Sequence, residues 1–387
     1  MKYVQEGEAT IIIPDLPDKI SSGMTVFYNP DMRVNRDIAV MCVEFLHKKC
    51  SREMALADPM AASGVRAVRW LKDISSNCTV YVNDINGAAT RITEENFRLN
   101  GIPYNRYKVF QQDANLFLRE RRGFGFDYID IDPFGTPVPF IEAAIISLTK
   151  GGIVGVTATD TAPLSGTFPN TCLRRYGAKP LRNEFKHEAG IRILIRKIIE
   201  IGAQHDIAMV PLFAYSHLHY FRVFLTKQRG AKKTDILLED IGYLLYCFNC
   251  TNRKIIRNIM KVQEKCHSCG ARFSISGPMW LGKLWDKDFT EFIHNLSLKA
   301  NYIHKHTKKL LQIIYKESKV NTVGFYTLSK LSQKTSMSSQ PPIKIVDDTF
   351  NGVRTHFEGD GFRTTLPHDE VLRRFKSLKG YNRNSRA

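Results

Sequence analysis

Asp132, Pro133 and Phe134 are the residues of this sequence whose types and spacing are best suited to chemistry. They follow a run from Phe126 to Ile131 that is rich in β-branched and aromatic residues and therefore predicts a strand. At the end of that strand, the Asp132 carboxylate and the Pro133 carbonyl are two hydrogen-bond acceptors beside the flat ring of Phe134. Such a corner could hold the N–H groups of an aromatic amine while the ring stacks on the heterocycle. The alternative is a buried strand that ends in a solvated Asp-Pro turn.

Three more aspartates, Asp58, Asp84 and Asp113, follow other predicted strands. Open α/β sheets bind ligands beyond the carboxyl ends of their strands, so we expect these side chains to surround one site together with Asp132. Asp84 is placed to accept hydrogen bonds from both hydroxyls of a ribose. Asp113 and Ala114 offer an acceptor and a backbone N–H to the edge of an adenine. Taken singly, each aspartate could instead be only a strand-end or helix-cap residue.

The turn from Asp58 to Arg66 consists mainly of small residues, which would let a ligand approach the backbone closely. It has one glycine and is not G-x-G-x-x-G, so a dinucleotide cofactor is disfavoured. S-adenosylmethionine fits instead, because its ribose, adenine and methionine parts find partners on the first three loops. Arg36 and Arg66 are candidates to pair with its carboxylate, since a guanidinium matches a carboxylate bidentately. The alternative for each arginine is a solvated charge on a helix surface.

Four of the eight cysteines form two pairs, Cys247-x2-Cys250 and Cys266-x2-Cys269, with fifteen residues between them. In a chain without an evident secretory signal, this spacing predicts an intracellular metal site rather than disulfides. Four thiolates leave no open position on a tetrahedral ion, so we predict a structural zinc. Basic residues around the pairs could contact RNA phosphates or could simply form a solvated surface. These are Lys254, Arg257, Lys261, Lys265 and Arg272.

The charge of the chain is strongly positive. Its 387 residues include 56 Lys and Arg against 38 Asp and Glu, a formal net charge of +18, which favours a polyanionic partner. No apolar run approaches the roughly 20 residues that a membrane-spanning helix needs, and the start of the chain lacks the apolar core of a signal peptide. We therefore expect a cytoplasmic protein that binds nucleic acid and no membrane. The sequence gives no sign of an obligate protein partner and does not indicate the oligomeric state.

The pattern between residues 54 and 226 alternates strands with helices, which is typical of a sheet covered by helices on both faces. The predicted strands are 54–58, 79–83, 107–111, 126–131, 152–158, 207–213 and 220–226. The predicted helices are 35–49, 64–75, 86–100, 114–121, 139–149 and 186–201. The last two strands are close enough in sequence to pair antiparallel. We predict an α/β domain over 1–230, with 1–30 as a covering segment that includes β-like runs at 9–13 and 25–28, and a smaller α+β domain over 231–387. A helix over 289–306 that continues toward residue 315 and a short strand over 343–346 are expected in the second domain.

Several motifs, taken in this order, resemble those of the tRNA guanine-26 N2-dimethyltransferases, in their shorter archaeal form. The motifs are Phe27-Tyr28-Asn29-Pro30 with Asn35-Arg36-Asp37, Ala61-Ala62-Ser63-Gly64-Val65-Arg66-Ala67, Asn83-Asp84, Asp113-Ala114, and Asp132-Pro133-Phe134-Gly135-Thr136-Pro137. The paired-cysteine module resembles the family too. The resemblance runs from about residue 10 to residue 269.

The resemblance implies a class I Rossmann-like methyltransferase fold with a seven-stranded sheet, and a C-terminal zinc-binding domain that recognises tRNA. It further implies that S-adenosylmethionine donates one and then two methyl groups to the exocyclic amine of one guanine in tRNA. Carried over by residue, the family's cofactor site corresponds to Arg36, Arg66, Asp84, Asp113 and Ala114. Its amine site corresponds to Asp132, Pro133 and Phe134, where Phe27 and Phe134 could sandwich the extruded base. The alternatives are an RNA amino-methyltransferase acting elsewhere, such as on ribosomal RNA, and a zinc-ribbon RNA-binding protein without activity.

Overall fold

The computed structural model describes residues 1–13, 26–74, 77–337 and 339–378 of the chain. The strands, in chain order, are β1 Lys2–Glu6, β2 Ala9–Ile13, β3 Met54–Asp58, β4 Cys78–Asn83, β5 Tyr107–Phe110, β6 Phe126–Ile131, β7 Leu148–Ala158, β8 Ile207–His217, β9 Tyr220–Arg229, β10 Ile241–Tyr246, β11 Arg253–Ile256, β12 Ser274–Trp280, β13 Tyr326–Thr327, β14 Val353–Arg354 and β15 Gly361–Arg363. The helices are α1 Arg33–His47, α2 Val65–Lys72, α3 Gly87–Leu99, α4 Ala114–Glu120, α5 Val138–Ser147, α6 Thr161–Leu164, α7 Pro169–Tyr176, α8 Lys186–Ala203, α9 Ala231–Leu238, α10 Lys287–Lys299, α11 Lys305–Glu317, α12 Leu328–Thr335, α13 Val346–Phe350 and α14 His368–Ser377.

Seven strands form the central sheet in the order β5-β4-β3-β6-β7-β9-β8. The strands β3 to β7 pair in parallel, whereas β9 pairs antiparallel with both β7 and β8. This arrangement confirms the predicted α/β fold and its seven-stranded sheet with an antiparallel last pair. Every residue of β6 is buried, as expected for an apolar strand covered on both faces. The strand order reverses between β3 and β6, so a crevice is expected at their carboxyl ends.

The N-terminal segment folds as a hairpin of β1 and β2. It packs beside the sheet domain, where Asn96 of α3 and Asn100, which follows that helix, hold the backbone of β2 through Ile12 and Thr10. The predicted strand in this segment corresponds to β2. The β-like run predicted at 25–28 forms no strand over its described residues 26–28, and Thr25 lies outside the described part of the chain.

Two predictions in the C-terminal region are wrong in detail. The helix expected over 289–306 is two helices, α10 and α11, because Ala300 has an extended conformation that ends α10 and the side chain of His304 caps a new N-terminus. The strand expected over 343–346 is a 3-10 turn, Ile343–Ile345, that leads into α13. A short apolar run does not distinguish strand from helix, and the acidic residues after it favour a helix start.

One apolar core contains residues from both sides of residue 230, the predicted domain boundary. Phe289 of α10 packs against Phe45 of α1, with ring centroids 4.9 Å apart, and belongs to the same buried cluster as the central sheet. A buried ion pair also joins the two parts, because Arg363 of β15 donates to Glu188 of α8 at 2.8 Å. A second, smaller core lies under β13, β15 and the last three helices. The division of the chain into domains at 230 stays a prediction.

None of the helices in the described ranges is both long and apolar enough to cross a membrane.

Candidate active site

A cavity of about 550 Å³ lies at the carboxyl ends of β3, β4, β5 and β6. All the residues predicted for the cofactor and amine sites line it. These are Phe27, Arg36, Arg66, Asp84, Asp113, Ala114, Asp132, Pro133 and Phe134. Its volume falls in the range of about 300–1,000 Å³ that small-molecule sites occupy. The fold thus brings the predicted residues together at the crevice where the strand order reverses.

The loop between β3 and α2 forms one wall of this cavity through its backbone. Ala62 and Gly64 have positive φ angles of 50° and 70°. A Cβ on Gly64 would lie 2.7 Å from the side chain of Thr93, so the position needs glycine for space as well as for conformation. The Ala62 N–H donates to Oδ2 of Asp84 at 2.8 Å. Apart from Met60, this loop therefore presents backbone and small side chains to a ligand.

Asp84 and Asp113 both organise backbone at the cavity. Asp84 accepts from the N–H groups of Ala62 and Asn86, one through each carboxylate oxygen. Asp113 accepts from two N–H groups of the first turn of α4 through Oδ1. The helix-cap interpretation is therefore correct for Asp113, although the residue also lines the cavity.

Arg36 stands at the cavity wall but is already paired. Its Nε and Nη2 donate to the two carboxylate oxygens of Glu6, both at 2.6 Å, and Nη2 also donates to the Asn29 carbonyl. Burial raises the pKa of Glu6, but the Arg36 and Arg69 guanidinium groups outweigh it and lower that pKa to about 2. A ligand carboxylate would reach Arg36 through Nη1 or would have to displace Glu6.

Arg66 joins the predicted amine site to a buried charge network. Its Nη2 donates a short hydrogen bond to Oδ2 of Asp132, and its Nη1 lies 3.3 Å from Oδ2 of Asp130. Nη1 also donates to Oδ1 of Asn35 at 2.8 Å. The guanidinium is buried, whereas Asp132 keeps part of its side chain accessible. Arg66 therefore fixes the orientation of the Asp132 carboxylate.

Asp130 and Arg222 were not predicted as site residues, yet they lie directly behind Asp132. Asp130 is fully buried and accepts from Arg222 and from the Tyr128 hydroxyl, the latter at 2.6 Å. Burial raises the pKa of Asp130, but the Arg222 and Arg66 guanidinium groups lower it below its usual value. The signal in the sequence was spacing, because residues two apart on a strand share a face.

Asp58 is a second buried carboxyl at the cavity, at the end of β3. Burial raises the pKa of Asp58 to about 7, against the opposing effect of the Arg66 guanidinium, and neighbouring carboxylates raise it further. A carboxyl that is partly protonated near neutral pH can donate a hydrogen bond as well as accept one. Asp58 is thus available to a ligand in either role.

The aromatic corner differs from the predicted sandwich. The rings of Phe27 and Phe134 contact each other edge to face, with centroids 4.7 Å apart and planes at 85°. No base fits between rings in that contact, so a base would stack on the open face of Phe134, which is 57% exposed. Gly135 makes the turn after it with φ of 82°, and its N–H donates to Oγ1 of Thr159 at 2.7 Å.

The four predicted metal ligands come together beside β10 and β11. The sulfurs of Cys247, Cys250, Cys266 and Cys269 all lie within 4.8 Å of one another. A tetrahedral zinc with Zn–S bonds of about 2.3 Å separates its sulfurs by about 3.8 Å. Each pair closes a tight turn, since the N–H groups of Thr251 and Gly270 donate to the first cysteine's carbonyl. The cluster fits a structural zinc ion.

The chain matches known proteins along nearly all its length. The sequence profile described as TRM, N2,N2-dimethylguanosine tRNA methyltransferase, matches residues 7–376. A tRNA (guanine(26)-N(2)/guanine(27)-N(2))-dimethyltransferase of Aquifex aeolicus is 57% identical over 378 residues, which cover 98% of this chain and 96% of that protein. A tRNA (guanine(26)-N(2))-dimethyltransferase of Methanosphaera stadtmanae is 36% identical over 384 residues, which cover 97% of each chain.

A solved structure is similar as well. Trm1 from Pyrococcus horikoshii, in complex with S-adenosyl-L-methionine, superposes with a TM-score of 0.84 at 30% identity, covering 97% of this chain and 99% of that one. The sequence profile, the relatives and the solved structure each match nearly the whole length of this chain. The chain therefore belongs to the N2,N2-dimethylguanosine tRNA methyltransferase family.

Proposed function

We propose that this protein transfers methyl groups from S-adenosylmethionine to the exocyclic N2 of guanine 26 in tRNA, first one group and then a second. The observation that carries this proposal is the position of Asp132, Pro133 and Phe134 on a ligand-sized cavity in a member of this family. The names of the relatives support this activity rather than the two alternatives, an enzyme of ribosomal RNA or an inactive zinc-ribbon protein. A tRNA substrate also favours the cytoplasm as the place of action.

The cavity residues fit S-adenosylmethionine, the ligand with which the similar Trm1 is in complex. Asp84 would meet the ribose, and Asp113 with Ala114 would meet the adenine. Arg36 would meet the methionine carboxylate through Nη1, because its other donors engage Glu6 and Asn29. Arg66, also expected to bind that carboxylate, donates to Asp132 and Asn35. We therefore assign Arg66 chiefly to holding Asp132. When bound, the cofactor supplies an electrophilic methyl group.

Asp132 and Pro133 would activate the amine by holding it. The lone pair of guanine N2 is delocalised into the ring, so the amine is a poor nucleophile until its geometry is fixed. Asp132 would accept one N–H through Oδ1, because Arg66 occupies Oδ2. The Pro133 carbonyl would accept the other N–H. The carboxylate then stabilises the positive charge that grows on the nitrogen and takes up the proton. Positioning and electrostatics together carry most of such catalysis.

The target base must leave its stack in tRNA to reach this corner. The open face of Phe134 provides a stacking surface at the cavity, and Phe27 supports that ring from its edge. Extrusion of the base explains why an aromatic side chain is more than half exposed at the mouth of the cavity.

A second candidate is that guanine 27 is methylated too. The relative that is 57% identical is named for positions 26 and 27, whereas the relative that is 36% identical is named for position 26 alone. Position 27 is adjacent in the chain of the RNA, so a small shift in register would present it to the same amine site.

The decisive experiment uses labelled S-adenosylmethionine and unmodified tRNA transcripts. We expect label on the wild-type transcript and its loss when guanine 26 is replaced by adenine. If guanine 27 is also a target, the transcript without guanine 26 keeps part of the label, and the label disappears only when both guanines are replaced. Equal labelling of the doubly replaced transcript would overturn both candidates.

A further inference from the structure

Helix α7 is fastened directly to the amine corner. The hydroxyl of Tyr176, its last residue, lies 2.9 Å from Oγ1 of Thr136, which follows Gly135 in the corner turn. The same hydroxyl donates to Asp160 at 2.7 Å, and Asp160 follows Thr159 of the cavity lining. The C-terminal end of α7 is therefore held beside the turn that follows Phe134.

The outer surface of α7 combines exposed apolar groups with positive charge. Phe168, which precedes the helix, is 56% exposed, and Leu173 is 58% exposed. Arg174 and Arg175 are exposed as well. Arg175 is paired with Asp160 at 3.0 Å. Arg174 donates only to the neutral Thr171 hydroxyl among the described residues, so its charge is not neutralised there.

A further exposed apolar side chain lies near the carboxyl end of β7, the last parallel strand of the sheet. Phe221 of β9 pairs with Ala158 at the end of β7, so the β8–β9 turn lies beside the start of α6. Leu218 in that turn is 57% exposed and has a positive φ of 48°. Exposed apolar side chains thus follow the carboxyl end of β7 on loops from two parts of the chain.

We propose that the α7 rim, defined as Phe168, Leu173 and Arg174, binds the nucleotides of tRNA that flank the target guanine. The inference rests on the proposed function, because it extends the same site. Extruding one base leaves its neighbours partly unstacked, and exposed rings or apolar side chains offer them a replacement surface. An arginine without an acidic partner meets the phosphates beside them. The net charge of +18 favours the approach of the polyanion.

The test compares rim variants with matched variants at the amino end of the central strand β6, away from the carboxyl ends of the strands where the cavity lies. Phe168→Ala and Arg174→Gln remove one ring and one charge from the rim. Phe124→Ala and Arg122→Gln remove the same groups before β6, where Phe124 is 54% exposed and Arg122 is exposed. All four are measured as full-length protein for binding of an unmodified tRNA transcript over a salt series, and for binding of S-adenosylmethionine alone.

We expect Phe168→Ala to weaken tRNA binding by about 5- to 150-fold, the effect of removing one stacked base contact. Arg174→Gln should weaken it and lower the slope of log K against log salt by about one, as loss of one phosphate contact does. A purely structural role would leave that slope unchanged. S-adenosylmethionine binding should not change in any variant, and the two control variants should bind tRNA as the wild type does.

Unchanged tRNA affinity and salt slope in both rim variants would overturn the inference, and so would equal losses in rim and control variants. Either result leaves the proposed activity standing, since the wild type is assayed for methyl transfer separately. Conversely, a wild type that binds tRNA through the rim but transfers no methyl group would refute the proposed function while the rim result holds.

Discussion

Arg66 donates from Nη2 to Oδ2 of Asp132, while its Nη1 lies 3.3 Å from the buried Asp130. One guanidinium therefore connects the carboxylate at the rim of the cavity to the carboxylate behind it. This link holds Oδ2 of Asp132 inward and, in the proposed function, leaves Oδ1 for the amine. Asp132 is oriented before any substrate arrives, which is what catalysis by positioning requires.

Replacing Asp132 by Asn tests its proposed catalytic role. The amide keeps the shape but removes the negative charge that stabilises the transition state, so we expect methyl transfer at saturating substrates to fall by about 10²- to 10³-fold. Cofactor and tRNA binding should be retained. Single-turnover transfer and direct binding measurements check this together. Turnover near that of the wild type would contradict the role.

Removing Arg222 should destabilise the fold. It would leave the fully buried Asp130 with less compensation for its charge, and breaking a buried pair in this way costs about 3–5 kcal/mol. We expect Arg222→Gln to lose stability of that order in urea unfolding followed by circular dichroism. The comparison is Arg98→Gln, whose partner Glu94 is exposed, and which should change stability by less than about 1 kcal/mol. Similar losses in both variants would refute a special contribution of the buried network.

The cysteine cluster predicts one zinc ion per chain and stability that depends on it. Cys250→Ser should abolish zinc in elemental analysis and lower the thermal midpoint, because a structural zinc site contributes folding free energy. Cys50→Ser is the matched control, since Cys50 is similarly half-buried but lies outside the cluster. Full zinc content in the Cys250 variant would contradict the assignment.

Asp58 should make stability fall as the pH rises. Its pKa is raised to about 7 in the folded chain, mainly by burial, against about 3.9 in an unfolded chain. Between these values the folded state binds more protons, so the contribution of Asp58 is fully present below about pH 4 and is lost as the pH rises through 7. Asp58→Asn removes this titration. In urea unfolding, the variant should therefore gain stability relative to the wild type as the pH rises from 5 to 8. If the free energy of unfolding depends on pH in the same way in both proteins, the raised pKa of Asp58 is contradicted.

Much of this fold and cavity could be predicted because the determining signals are local. Alternating strands and helices fix the sheet, and residues at or just after the end of each parallel strand must lie on the side of the sheet where those strands end. Asp58, Asp84, Asp113 and Asp132 therefore meet at one cavity. The spacing of the cysteine pairs likewise predicts that their four sulfurs come together at one metal site.

What could not be predicted depends on side-chain partners from distant parts of the chain. Nothing near Arg36 in sequence shows that Glu6 would occupy its fork, because the two meet only when the N-terminal hairpin packs beside α1. Arg222 is recruited to Asp130 across the antiparallel strand β9, 92 positions away. The edge-to-face contact of Phe27 and Phe134 depends on the path of residues 26–32, which precede α1.

The shared core across residue 230 limits how this protein can be cut. Phe289 packs against Phe213 and Phe224 of the central sheet. A cut at residue 230 would remove Phe289 and leave these two sheet residues without it. A fragment ending at residue 230 would expose the apolar face of the central sheet and would tend to aggregate. Truncation or chimera experiments that treat the catalytic half as a detachable module would then report insolubility rather than loss of RNA recognition.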